Sequence, residues 1–314
     1  MRTAIRDQAR LNAALRWRLA RGPGSGREPG EIRAAADHAI AEVARDELGP
    51  KAGADFGPYR VGGLLGRGGQ ALVHRAVDTR LDRAVALKRP VSGVRTAAEV
   101  LRFRREARIG SALRHPCLAT VFEAGEVLGI PFVATELLPG PTLAACIAAD
   151  AGQGPVSLPG CGRSGPDRLR RVLEVVGSLA DAVGRMHERG FVHRDVKPAN
   201  VAFAADGTPV LFDFGIARAR DESDPLDLAG IARGSPGYVA PELLERECAD
   251  PRLDVFGLGA LLAALTRGCP EVEAAVRSAT AIDPDHRPPS AAAFAATLRR
   301  IGRRSSAAVA AEHG

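Results

Sequence analysis

The chain has 314 residues, of which 46% are hydrophobic and 25% charged, a globular composition long enough for two lobes with their own cores. Its five cysteines (Cys117, Cys146, Cys161, Cys248 and Cys269) are scattered with no CxxC pair, which argues against a disulfide framework or a zinc site and fits a reducing, cytoplasmic setting. The net charge of +6 is concentrated in residues 1–33, where Arg2, Arg6, Arg10, Arg16, Arg18, Arg21, Arg27 and Arg33 face Asp7, Glu28 and Glu31.

That arm opens the chain. It has one aromatic, Trp17, so it lacks the stacking series of a nucleic-acid binder and reads as a solvated helix or one that docks on a partner. Ile5, Ala9, Leu11, Leu15 and Leu19 predict a basic amphipathic helix over 1–20. There is no apolar h-region of a signal peptide, and no run anywhere approaches the roughly 20 apolar residues that span a bilayer. Residues 21–26 read as a linker, 30–48 as a second helix, and 49–58 as a break before a main domain that starts at Tyr59.

From Tyr59 the hydrophobic period changes to two, and strands are predicted at 59–61, 71–77 and 84–88. Between the first two lies Leu65-Gly66-Arg67-Gly68-Gly69-Gln70-Ala71-Leu72-Val73. Glycines in such a turn allow positive φ and let backbone N–H groups approach a phosphate, although an ordinary glycine-rich hairpin fits the same residues. Lys88 ends the apolar strand Val85-Ala86-Leu87-Lys88, so its ammonium needs a partner. An amphipathic helix over 96–113 puts Val100, Phe103, Ala107 and Leu113 on one face, with Glu106 on or near it as the natural ion-pair partner. Strands at 118–125 and 131–136, a short helix at 142–149, an exposed loop at 152–166 and a long buried helix at 167–189 follow.

That helix delivers the chain to Val192-His193-Arg194-Asp195-Val196-Lys197-Pro198-Ala199-Asn200, a polar loop between the apolar pairs Phe191-Val192 and Val201-Ala202. Clustered polar chemistry on a loop between rigid elements marks an active site. Asp195 and Asn200 carry oxygens suited to Mg²⁺ or a hydroxyl, and Lys197 a point charge suited to a phosphate. After a turn at Asp206-Gly207 and a strand at 210–212 comes Asp213-Phe214-Gly215, a second candidate metal donor. Residues 216–241 show little periodicity and end in Ala240-Pro241-Glu242; helices are predicted at 252–266, 270–281 and 289–301.

Taken together, 59–301 resembles a bacterial eukaryotic-like (Hanks-type) serine/threonine protein kinase, because several independent motifs occur in the right order. Gly66, Gly68, Ala71 and Val73 resemble the Gly-rich loop over ATP, Lys88 and Glu106 the phosphate-binding ion pair, His193-Arg194-Asp195 with Asn200 the catalytic loop, and Asp213-Phe214-Gly215 the magnesium motif. The resemblance implies an α+β bilobal fold with a β-rich N-lobe (59–136), a hinge (136–140) and a mainly helical C-lobe (141–301), preceded by an extension (1–58) and followed by a disordered tail (302–314). It implies that Asp195 accepts the substrate proton, Lys197 steadies the γ-phosphate, and Asn200 and Asp213 hold Mg²⁺. Leu65, Gly66, Gly68, Val73, Ala86, Lys88, Thr135, Glu136 and Leu138 would form the ATP site, and the substrate would be a protein with a Ser or Thr acceptor. Asp254 and Arg287 resemble the family's buried Asp and the Arg that pairs with Glu242.

The sequence departs from that pattern in four places. The third loop glycine is Ala71. The activation segment before Ala240 holds two serines, Ser223 and Ser235, and no threonine, with Asp221, Glu222 and Asp224 near the position where Arg194 normally meets a phosphate. The run from Asp254 to Arg287 is short, so a helix of the usual substrate-docking surface after residue 266 is expected to be missing. The shortened lobe and Gly110, where a bulky core residue is usual, favour a second reading as a kinase-fold scaffold without phosphoryl transfer.

Overall fold

The computed structural model describes residues 53–68, 71–91, 97–150, 157–161, 166–220, 237–245 and 248–312. The helices expected within 1–48, Gly69, most of the loop at 152–166, and the segment 221–236 with Ser223 and Ser235 lie outside the described residues. Two compact units are present: Met1–Arg104 with Val121–Leu137, and Arg105–Thr120 with Leu138–Gly314. The sequence reading assigns all of 59–136 to the first lobe. Residues 105–120 belong instead to the second unit, because Ile109, Leu113, Cys117 and Leu118 bury their side chains in its core.

In the first unit, β1 (Asp55–Phe56), β2 (Tyr59–Arg67), β3 (Ala71–Asp78) and β4 (Arg83–Pro90) precede β5 (Val121–Val127) and β6 (Ile130–Glu136); α1 (Ala97–Ala112), between β4 and β5, passes into the second unit after Arg104. The sheet order is β1-β2-β3-β4-β6-β5, with every pair antiparallel. β1 falls in the stretch read as a break; a two-residue strand has no period to detect. The sheet curls on itself. Tyr59 on β2 donates its hydroxyl to Glu123 on β5 at 2.6 Å, and the Phe56 and Tyr59 rings pack edge-on against Phe132. The enclosed face buries Val61, Ala76, Val85, Leu87 and Ala134.

Strand alternation gives β4 two faces. Val85 and Leu87 point into this core. Ala86 and Lys88 point the other way, so they are held by a strand whose alternate side chains anchor it. His74, paired with Leu87, lies on the core face and is 7% exposed. Burial, then the charge of Arg89, pushes its pKa down, with the Gly62 backbone opposing. The unfolded chain therefore takes up a proton more readily than the folded one, and stability falls as pH drops below about 6.5. His74→Leu removes this term. The difference in melting temperature between His74→Leu and wild type should move in favour of the variant between pH 7 and pH 5; a pH-independent difference would refute the assignment.

The second unit contains α2 (Leu143–Ala149), α3 (Pro166–Glu188), β7 (Phe191–Val192), β8 (Val201–Phe203), β9 (Pro209–Leu211), β10 (Arg218–Ala219), α4 (Pro241–Glu245), α5 (Arg252–Thr266), α6 (Pro270–Ala279) and α7 (Ala291–Glu312). Its centre is α3, whose Val172, Val176, Leu179, Val183 and Met186 are fully buried with Leu258 and Leu261 of α5 and Phe294 and Leu298 of α7. The β7 and β10 strands pair in an antiparallel ladder, Phe191 with Ala219 and Val192 with Arg218, inside a region whose sequence is aperiodic. Only 267–269 separate α5 from α6, with Arg267 and Gly268 both at positive φ, so no helix intervenes there. The tail expected to be disordered from 302 is helical to Glu312, because Ala307, Ala308, Ala310 and Ala311 are strong helix formers.

Candidate active site

The polar loop of the second unit leaves β7 at Val192, runs through His193 to Lys197, and enters β8 by a 3-10 turn at Pro198–Asn200. Its backbone is fixed by α5. Asp254, 1% exposed, accepts hydrogen bonds from the His193 and Arg194 backbone N–H groups at 2.8 and 2.7 Å and meets His187 Nε2 at 2.8 Å. One turn later Gly257 abuts the loop so closely that a Cβ there would come within 2.7 Å of the Val196 carbonyl oxygen. Burial alone would raise the Asp254 pKa, but the hydrogen bond and charge of His187 and the His193 contacts outweigh it and hold the carboxyl below its usual range. Arg194 sits at φ +68°, a left-handed conformation that an L-residue keeps only where its surroundings impose it. Here the two amides on Asp254 impose it.

The loop's side chains converge. Asp195 Oδ2 accepts from Asn200 Nδ2 at 2.8 Å and meets Lys197 Nζ at 2.7 Å. Asn200 Nδ2 also donates to the Asp195 carbonyl at 2.9 Å, which commits the amide nitrogen and leaves the amide oxygen as the group to face a ligand. Register does the rest: Val201 pairs with Leu211, and the Phe212 N–H donates to the Asn200 carbonyl at 2.9 Å, which brings Asp213 alongside. Asp213 is itself at φ +68° and its Oδ1 accepts from the Gly215 N–H at 3.2 Å. The His193 ring packs edge-on against Phe214 at 5.7 Å, joining the two motifs.

Asn200 and Asp213 thus offer hard oxygen donors. Among the described residues no group of three or more His, Cys, Asp or Glu side chains is placed to hold a metal. One carboxylate and one amide suit a cation that keeps much of its shell for water and phosphate, as Mg²⁺ does.

In the first unit, the register pairs Gly66 with Val73, Val73 with Lys88, and Ala86 with Thr135. Val73, Ala86, Lys88 and Thr135 therefore share the sheet face opposite the Tyr59–Phe132 core. The turn below them closes through a Gly68 N–H to Ala71 carbonyl bond of 2.9 Å, and Leu65 is half exposed beside it. Glu136 ends β6 in this unit. Leu138 and the buried Glu106 belong to the second unit. Elsewhere in that unit Arg287 forms a bidentate pair with Glu242 at 2.7 and 2.8 Å. Sequence reasoning misses His187 and Gly257. The first reads as an ordinary C-terminal helix cation, and a lone helical glycine carries no signal of what it abuts.

Comparison with known proteins matches residues 59–288 to the protein kinase domain. The serine/threonine-protein kinase PknB of Mycolicibacterium smegmatis is 31% identical over 280 residues, covering 77% of this chain and 43% of the relative. PknD of Mycobacterium tuberculosis is 36% identical over 228 residues, covering 72% and 32%. The chain thus spans less than half the length of these relatives. The crystallised kinase domain of M. tuberculosis PknI shares the fold, with a TM-score of 0.61 at 24% identity over 80% of this chain and 99% of that one. The structure described as PpkA-294 in its apo form has a TM-score of 0.61 at 26% identity, covering 79% and 98%. The chain belongs to the protein kinase family, and the relatives named above are bacterial serine/threonine-protein kinases.

Proposed function

We propose that this chain is an active protein kinase that transfers the γ-phosphoryl group of ATP to a serine or threonine hydroxyl of a protein. The observation that carries the reading is Asp195, held between Lys197 and Asn200 with its carboxylate oriented by both. Asp195 orients the acceptor hydroxyl and takes its proton; Lys197 steadies the γ-phosphate beside it. Lys88 binds the α- and β-phosphates, and Gly66 and Gly68 let backbone N–H groups approach them. Val73 and Ala86 sandwich the adenine, Thr135 sits beside it, and the backbone at Glu136 and Leu138 takes its hydrogen bonds. Asn200 and Asp213 would hold Mg²⁺, which would supply positive charge to offset that of the phosphates. Positioning and charge stabilisation carry such a transfer. A cytoplasmic setting is supported by the five scattered cysteines, which form no CxxC pair.

Transfer of radiolabel from ATP to the chain itself and to a generic basic protein, with Asp195→Asn as control, tests this. Equal label in both would remove the enzyme reading and leave the scaffold that the short 267–269 link favours. Regulation centres on Arg194. The sequence carries the acidic run Asp221, Glu222 and Asp224 in the activation segment, so activity needs little phosphorylation, because a phosphate at Ser223 would meet like charges. Ser223→Ala is expected to retain most of the transfer rate of the purified kinase; abolished activity would refute the idea.

A further inference from the structure

The alternation that turns Ala86 and Lys88 away from the core of the first unit puts Arg89 on its core face, with Val85 and Leu87. Arg89 is 7% exposed, as is His74. The Arg89 Nε and both ring nitrogens of His74 are buried and make no hydrogen bond. Among the described residues no carboxylate pairs with Arg89; Asp78 and Glu123, acids of the same sheet, are both held by Arg80. The two unpartnered groups are neighbours. β3 pairs His74 with Leu87 and Leu72 with Arg89, which makes His74 and Arg89 a diagonal pair on one face, about 7–8 Å apart at the backbone.

A guanidinium does not escape burial by losing its proton, and a buried charge without a partner is among the costliest arrangements in a fold. Burial is the one influence on the Arg89 pKa, and it pushes it down. Both groups offer N–H donors, so what they lack is an anionic acceptor. One fixed positive charge beside a neutral imidazole matches a monoanion better than a phosphate dianion. The walls are apolar: Leu87 and Phe132 belong to the buried core of this unit. The face is open at one side, where Leu64, paired with His74, is 54% exposed and β2 loses its register between Val61 and Leu64. We propose that Arg89 and His74 form a binding site for a carboxylate on a short aliphatic stem, which accepts from the guanidinium and from a His74 ring N–H while its stem lies along Leu64. A small free acid and an acidic side chain of a partner protein both offer this chemistry. The site lies on the sheet face opposite Val73, Ala86 and Lys88, and the reading does not rest on phosphoryl transfer.

Thermal melting of the full-length chain, with about 50 mM propionate replacing chloride at constant ionic strength, tests it. The wild-type melting temperature is expected to rise by roughly 2–4 °C. Propionamide, which has the same stem without the charge, should leave it unchanged, and propionate should not shift Arg89→Met. In carboxylate-free buffer Arg89→Met is expected to melt above wild type, because methionine fills the space with no charge to bury. A second measurement needs no stable variant: in wild type, one arginine Nε–H resonance should move saturably as propionate is added. A larger shift with N-acetyl-glutamyl amide than with propionate assigns the site to an acidic side chain of a protein, and the reverse to a small free acid; either supports the proposal. Absence of any shift with carboxylates would overturn it, as would an equal shift in Arg89→Met or a larger one with inorganic phosphate. So would an Arg89→Met variant that melts below wild type in carboxylate-free buffer, since the guanidinium would then have its partner within the chain.

Discussion

Asp195→Asn is expected to lower the rate of phosphoryl transfer by roughly 10²–10⁴-fold, the range for removing a positioned general base, with the melting temperature almost unchanged. The geometry gives the reason for both halves. Asparagine keeps an oxygen where Asp195 Oδ2 receives the Asn200 amide, so the loop retains its shape. It cannot take a proton, and it removes the negative charge that Lys197 meets at 2.7 Å. Single-turnover label transfer from ATP, paired with thermal melting, separates these effects. A variant that melts far below wild type, or one that retains most of the transfer rate, would show that Asp195 acts through the fold.

The second large effect lies one layer deeper. Asp254→Ala is expected to destabilise the chain by roughly 3–5 kcal/mol, the range for breaking a buried charged network. Its carboxylate is the acceptor for the His193 and Arg194 amides and the partner of His187, and alanine leaves all of them buried without it. The Arg194 backbone also loses what holds it at φ +68°, so transfer should fall along with stability. The folded-state pKa of Asp254 lies below its unfolded value. Its contribution is therefore complete at neutral pH and is lost as pH falls through that lowered value. The gap between wild type and variant in urea midpoint should stay wide from pH 8 to about pH 5 and close only in stronger acid. A gap that closes between pH 7 and pH 6 would assign the effect to a histidine instead.

The difference between these two residues mirrors what the sequence discloses. Asp195, Lys197 and Asn200 are legible because their chemistry is dense and their spacing local: six residues hold a carboxylate, an ammonium and an amide. The strands bearing Val73 and Lys88 are legible through alternation, and α3 through its helical period. The support for the loop is less legible. Asp254 is recognisable by resemblance alone, because nothing in a helix sequence says that a carboxylate will accept from amides 60 and 61 residues earlier. Gly257 looks like any weak helix former until its close approach to Val196 is seen. The β7–β10 ladder is hidden because two residues cannot display a period, and the boundary of the first lobe is misplaced because Ile109 and Leu113 choose their core by tertiary packing.

The support from α5 also has a consequence for how the protein comes into being. During synthesis the loop emerges about sixty residues before the helix that shapes it. Until Asp254 and Gly257 have left the ribosome and α5 has packed, the chain carries all its reactive side chains and no template for their backbone. A chain cut short before residue 257 thus holds the loop's side chains without the backbone template that α5 provides.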